Sequence, residues 1–124
     1  LDESTDQLDR AFAALADPTR RDLVARLAVA DATVSELAEP YDVSLQAISK
    51  HVKVLEEAGL VTRSKDAQRR PVHLSAEPFA LMTTWIERYR RQVEERYGRL
   101  DDLLSRMAED EGEDRSKPTP KDAS

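Results

Sequence analysis

The 124 residues carry 19 Lys and Arg against 25 Asp and Glu, a formal net charge of −6, and no cysteine. A chain of this length suits one domain with a modest core that gains from a second subunit. Without cysteine there is no disulfide and no thiolate metal site, which fits a reducing cytoplasm. No apolar run is long enough to cross a membrane, and the opening LDESTDQLDR is too acidic for a signal peptide.

Net acidity argues against a nucleic-acid partner, but its distribution reverses that impression. Acid is concentrated at the ends, in Asp2, Glu3, Asp6 and Asp9 and again in Glu109, Asp110, Glu111, Glu113 and Asp114. Residues 44–75 instead carry Lys50, Lys53, Arg63, Lys65, Arg69 and Arg70 against Glu56, Glu57 and Asp66. Salt screens charges beyond roughly 8–10 Å, so the local excess decides attraction to phosphate. The excess is small, and non-specific binding is expected to be modest.

Residues 1–5 read as a flexible start, 6–108 as one folded domain, and 109–124 as a disordered tail of charge and proline. Leu8, Phe12 and Leu15 fall three to four apart and predict a short amphipathic helix over 6–15. Asp17-Pro18 is a cap followed by proline at the first helical position, and it opens a helix to about Ala28 that buries Leu23, Val24 and Leu27. Thr33 and Glu36 form a capping-box pair ahead of a third helix that Pro40 ends. Tyr41-Asp42-Val43 is the turn. Ser44 caps a fourth helix to about Ala58, and Gly59 supplies the left-handed stop. Leu60–Ser64 and Arg70–Ser75 have strand character, and helix returns from Pro78 to about Met107, roughly 45 Å of it. Within that helix Glu87 with Arg91 and Glu95 with Arg99 are spaced for support of the exposed face.

Helix, turn, helix, glycine stop and a hairpin with a basic loop make a winged helix-turn-helix: mainly α, with a small β-hairpin and a long C-terminal dimerisation helix. That order holds double-stranded DNA. In the fourth helix Leu45, Ile48, Val52 and Leu55 form the apolar stripe. Opposite lie Gln46, Lys50 and Lys53, flanked by Ala47 and Ser49, whose small side chains let the backbone approach a groove. Gln pairs bidentately with adenine, and Lys reaches guanine or phosphate. Ser44 at the cap, Gln46, Ala47, Ser49, Lys50, His51 and Lys53 are the candidate DNA contacts on this helix; Lys65, Arg69 and Arg70 are those of the wing. His51 sits between the polar face and the core, where a structural hydrogen bond or a phosphate contact outranks metal ligation. His73 alternates with Val72 and Leu74 and faces outward. Val54 falls off the stripe without explanation.

The last helix repeats Met82, Trp85, Ile86, Tyr89, Val93, Tyr97, Leu100, Leu103, Leu104 and Met107 at three- and four-residue steps, too long a stripe for the body to bury. Phe79, Leu81 and Met82 are assigned to the intrachain core. Trp85, Tyr89, Val93, Tyr97, Leu100 and Leu104 are assigned to a partner helix, with Leu8 and Phe12 contributing. The bound DNA is then an imperfect palindrome. A winged-helix adaptor that binds protein without reading DNA is the alternative. For an enzyme there is no nucleophile–base pair, no glycine-rich phosphate loop and no ligand cluster.

The runs LADPTRRDLVARLA, TVSELAEPYDVSLQAISKHVKVLEEAGLV and RRPVHLS resemble the ArsR family of bacterial winged-helix repressors over about residues 10–105. The resemblance implies a cytoplasmic homodimer, a DNA operator and regulated transcription. Metal-sensing members of that family place cysteines in the helix before the recognition helix, where this chain has SELAEP. Others use His and Asp pairs in the last helix, where this chain has no His and only Asp101 and Asp102. No metal and no cofactor are expected. The signal is then a small molecule or partner protein acting near Trp85 and Tyr89, or else the repressor is constitutive.

Overall fold

In the computed structural model, residues 3–65 and 68–116 are described. The elements are α1 (Glu3–Leu15), α2 (Pro18–Val29), α3 (Val34–Ala38), α4 (Leu45–Glu57), β1 (Val61–Arg63), β2 (Val72–Leu74) and α5 (Ala76–Ser116). Contacts divide the chain into two units, up to Trp85 and from Ile86 onward.

Local chemistry sets most of the boundaries in the first unit. The Asp17 carboxylate accepts from the Arg20 amide at 3.0 Å and caps α2, with Pro18 next. The two arginines that follow reach backward. Arg20 donates from Nε to the Ala14 carbonyl at 2.6 Å, and Arg21 to that of Leu15 at 2.8 Å. Both thereby satisfy carbonyls that the end of α1 leaves without helical partners. Thr33 and Glu36 close the capping box of α3 in both directions, at 3.1 and 2.9 Å. Ser44 Oγ accepts from the Ala47 amide at the start of α4. At the far end Gly59 takes φ +78°, which an L side chain resists. Its amide reaches Glu56 O at 3.0 Å and that of Leu60 reaches Leu55 O at 2.9 Å, a Schellman close.

The core gathers Leu23 and Leu27 of α2, Leu37 of α3, Ile48, Val52 and Leu55 of α4, and Leu60, Val61, Val72 and Met82. Phe12 and Leu8 pack against it, and Phe12 meets Trp85 edge-on at 5.4 Å between ring centroids. Val24 and Leu81 are half-buried. The turn is braced by Tyr41, whose hydroxyl donates to Asp22 while its ring lies 5.5 Å below the Arg26 guanidinium. Burial first, then that hydrogen bond, pushes the Tyr41 phenol above its ordinary value.

β1 and β2 pair antiparallel with Val61 opposite Leu74, Thr62 opposite His73 and Arg63 opposite Val72. Both strands are shorter than their sequence character predicts. A further rung is absent from the sequence reading: Ala32 exchanges hydrogen bonds with Val72, at 3.2 and 2.7 Å, on the other side of β2.

One other expectation needs correction. Leu45 does not join the buried stripe; it is 52% exposed. It is the first residue of α4, and a helical side chain leans back toward the N-terminus, which carries Leu45 over the exposed turn and off the core. Helical backbone also reaches into both terminal segments. Helix begins at Glu3 inside the segment read as flexible, and α5 continues through Ser116 into the segment read as a disordered tail. Residues 109–116, EDEGEDRS, extend a helix that is already nucleated, and propagation with good helix formers such as Glu109, Glu111 and Arg115 costs little even with Gly112 among them. The expectations for residues 1–2 and 117–124 lie outside the described residues.

In the second unit α5 exposes Ile86, Tyr89, Val93, Tyr97, Leu100, Leu103, Leu104 and Met107 along one stripe. Its polar side is stitched by Arg90, which pairs with Glu87 at 2.7 Å and Glu94 at 2.8 Å. Glu87 is thus held through its carboxylate by Arg90; Arg91 reaches only its backbone carbonyl, at 3.5 Å.

Candidate nucleic-acid interface

Burying Ile48, Val52 and Leu55 fixes the roll of α4 and so decides what the opposite side presents. Gln46, Lys50 and Lys53 come out exposed along one line, four and then three residues apart. Ala47 and Ser49 flank that line half-buried, and the capping Ser44 is exposed at its head. Glu57 continues the line one turn beyond Lys53 and is acidic, so the stretch fit for phosphate ends with Lys53. The first turn of α4 has no acidic residue, so no carboxylate within that turn offsets the positive end of the helix dipole. Leu45 is exposed at the same end of α4, an apolar side chain beside that line and not on it. Sequence periodicity hid it by counting it into the stripe.

His51 faces a different way. Its Nδ1 lies 3.3 Å from the Arg20 guanidinium and 3.8 Å from Asp17 Oδ2. Arg is a donor only, so Nδ1 accepts and the neutral ring carries its proton on Nε2. Of the two roles expected for His51, this contact is the structural one: it ties the middle of α4 to the α1–α2 corner. Asp17 itself is held below the ordinary carboxylate range, first by the hydrogen bond from the Arg20 amide and then by the charge of the Arg20 guanidinium. Nothing in the sequence marked Arg20 as the partner of a residue so far along the chain. Val54 is 39% exposed and sits over a shallow open groove of about 300 Å³ with Arg10, Ala13, Arg20 and Glu57 around it.

On the wing, Lys65, Arg69 and Arg70 are all exposed. Their surroundings differ. Arg70 adopts φ +48°, a left-handed conformation uncommon for a residue with a Cβ. Arg69 turns back onto the body and donates to Glu36 Oε1 at 2.9 Å. Arg63 at the end of β1 lies 3.6 Å from Glu56 on α4. Two of the cations that made residues 44–75 basic are therefore engaged by carboxylates. What faces outward as positive charge is concentrated in Lys50, Lys53, Lys65 and Arg70.

His73 lies 3.7 Å from Asp31 and well apart in sequence from His51. Among the described residues no group of three or more His, Cys, Asp or Glu is arranged to hold a metal ion. Among them, too, no helix is long and apolar enough to cross a membrane.

A helix-turn-helix domain family matches residues 15–64. The chain is 40% identical over 94 residues to the HTH-type transcriptional regulator Rv2034 of Mycobacterium tuberculosis, covering 76% of this chain and 88% of that relative. It is 31% identical over 61 residues to the transcriptional repressor SdpR of Bacillus subtilis, covering 49% of this chain and 68% of that relative. The crystal structure of an ArsR family transcriptional regulator, 40% identical, matches with a TM-score of 0.67 over 71% of this chain and 97% of its own. With the wing, the capped recognition helix and these likenesses together, the chain belongs to the ArsR family of winged helix-turn-helix DNA-binding transcriptional regulators.

Proposed function

We propose that the protein is a cytoplasmic repressor that holds a palindromic operator as a symmetric dimer and answers to no thiophilic metal. The observation that carries this reading is the exposed line of Gln46, Lys50 and Lys53 at the uncrowded start of α4. Gln46 and Lys50 read base edges, and Lys53 and the wing cations grip phosphate, which fixes register without specifying sequence. Repression requires no chemistry beyond occupancy of the operator.

The dimer reading is supported by α5, where Ile86, Val93, Leu100 and Met107 recur at heptad spacing with Tyr89, Tyr97, Leu103 and Leu104 beside them. Such a continuous exposed apolar stripe is costly in water unless a second surface covers it. A two-fold dimer sets two recognition helices about 34 Å apart, one duplex turn, and so requires an imperfect palindrome. Trp85 and Tyr89, where the stripe begins, are where an effector biasing the dimer would act.

The test is selection of duplexes from a random library by the purified protein, followed by footprinting on the native genome. The expected outcome is a palindromic motif with half-sites one helical turn apart and protection over a promoter. Retention of duplexes without any motif would favour a winged-helix adaptor instead.

A further inference from the structure

We infer that Glu36 is a positioning residue for the wing: its carboxylate, already held by the α3 cap, grips Arg69 and fixes the stretch that leads into β2 against the helix-turn-helix before DNA arrives. The inference rests on the DNA-binding reading and assigns within it a role that neither residue type announces.

Ordinary exposed ion pairs contribute little because two long side chains must be immobilised for one contact. Glu36 is an exception in that respect. Its Oε1 accepts the Thr33 amide at 2.9 Å, while its own amide donates to Thr33 Oγ1 at 3.1 Å. Its carbonyl accepts from Arg26 at 3.1 Å, and the next carbonyl, that of Leu37, accepts from the same guanidinium at 2.6 Å. The acceptor is thus immobile whether or not Arg69 is present, and only Arg69 has freedom to lose. Arg69 meets it at 2.9 Å. At the other end of this corner, one residue before Thr33, Ala32 is hydrogen-bonded to Val72. The wing is therefore tied to the α2–α3 segment twice, by backbone on β2 and by a side chain near its tip.

Arg70, between the two ties, is held in a left-handed conformation that an unrestrained arginine would leave. Anchoring Arg69 on one side and pairing β2 on the other is what holds it there. The division of labour follows. Arg69 faces the protein, and phosphate contact on the wing falls to Arg70 and Lys65. Ordering the wing in advance removes a cost that binding would otherwise carry.

The experiment measures operator binding by fluorescence anisotropy across a range of salt for Glu36→Gln, Arg69→Gln, the double variant and Arg70→Gln. Glutamine at position 36 retains the capping box, so α3 keeps its start. The expected result is that E36Q and R69Q each weaken binding by about two- to fivefold, that the double variant is no weaker than either, and that all three keep the wild-type salt slope. R70Q should lower that slope by about 0.9, the signature of one lost phosphate. Hydrogen exchange without DNA should show faster wing amides in E36Q and R69Q, beyond what any change in thermal stability accounts for. The inference is overturned if R69Q lowers the slope by about 0.9 while E36Q leaves affinity unchanged or raised, since Arg69 would then be a phosphate ligand that Glu36 merely detains. Unchanged exchange in E36Q overturns it as well. A wild type that binds no duplex would instead refute the DNA reading, and the exchange arm would still report on the wing.

Discussion

A single helical line carries the specificity argument. Gln46 and Lys50 stand at the first two turns of α4, where helix-turn-helix proteins meet base edges. Replacing either by Ala should shift sequence preference at one half-site position and cost about 1–3 kcal/mol on the best operator, read by competition among duplexes. If both replacements leave operator affinity and preference unchanged, the line does not face the groove. Leu45 is exposed at the same end of α4, although its spacing from Ile48 had assigned it to the core. The error has a physical origin. Periodicity gives the angle of a residue about the helix axis and says nothing of its height, and Leu45 has the right angle at a height where the core has ended. His51 and Arg69 illustrate a second limit. Their chemistry suits phosphate, yet each is oriented by a partner distant in sequence, Arg20 and Glu36 respectively, and no spacing rule connects such pairs.

The elements themselves were largely legible because their boundaries are made by neighbours. Asp17-Pro18, the Thr33/Glu36 box, Ser44 and Gly59 each act within a few positions, and the structure starts or stops a helix at each. These caps also make the fold sensitive to acid. The Arg20 amide lowers the Asp17 carboxyl, and the Thr33 amide and hydroxyl lower that of Glu36. A carboxyl lowered in the folded state adds stability that is fully present above its unfolded value and is lost as pH falls through the folded one. Denaturation midpoints should therefore stay level near neutrality and decline below the ordinary carboxylate range. Asp17→Asn, which retains a capping oxygen without the titration, should flatten part of that decline. An undiminished decline in this variant would show that the caps are not its source. What the sequence did not disclose at this scale is the Ala32 rung, because one bridging residue has neither alternation nor length to mark it.

For the molecule as a whole, net charge was a misleading guide and its placement a better one. The body-facing pairs Arg63–Glu56 and Arg69–Glu36 consume part of the local positive excess, so affinity for DNA must come from few contacts and is expected to fall steeply with salt only as those few allow. In the proposed dimer, two bodies acting together offset that weakness. Leu100→Glu places a charge in the exposed stripe of α5 and should give monomers with operator binding reduced by at least about tenfold, read by sedimentation and anisotropy on the same sample. A wild type that sediments as a monomer at micromolar concentration would remove the basis for a palindrome. Regulation by metal is expected to be absent: stoichiometric zinc, cadmium or arsenite should change operator affinity by less than about tenfold, or 1.4 kcal/mol of coupling. Thiophilic ions need thiolates or several imidazoles, and this chain has no Cys and only His51 and His73.

The rung between Ala32 and Val72 sets an order of events in folding. It joins residues about forty positions apart, and closing so long a loop costs entropy before any contact rewards it. The α2, α3 and α4 helices nucleate on nearby residues and can assemble first. β2 then docks into a slot whose two walls, β1 and the Ala32 segment, already stand. Val72 is fully buried in that slot, so Val72→Ala should cost about 1–3 kcal/mol. Nearly all of that loss should appear as faster unfolding with the folding rate little changed, as stopped-flow chevrons would record. If folding slows in proportion instead, the wing is part of the nucleus. On the expected order, the reading helix exists before its wing does, and the wing is the first part to open whenever the protein is challenged.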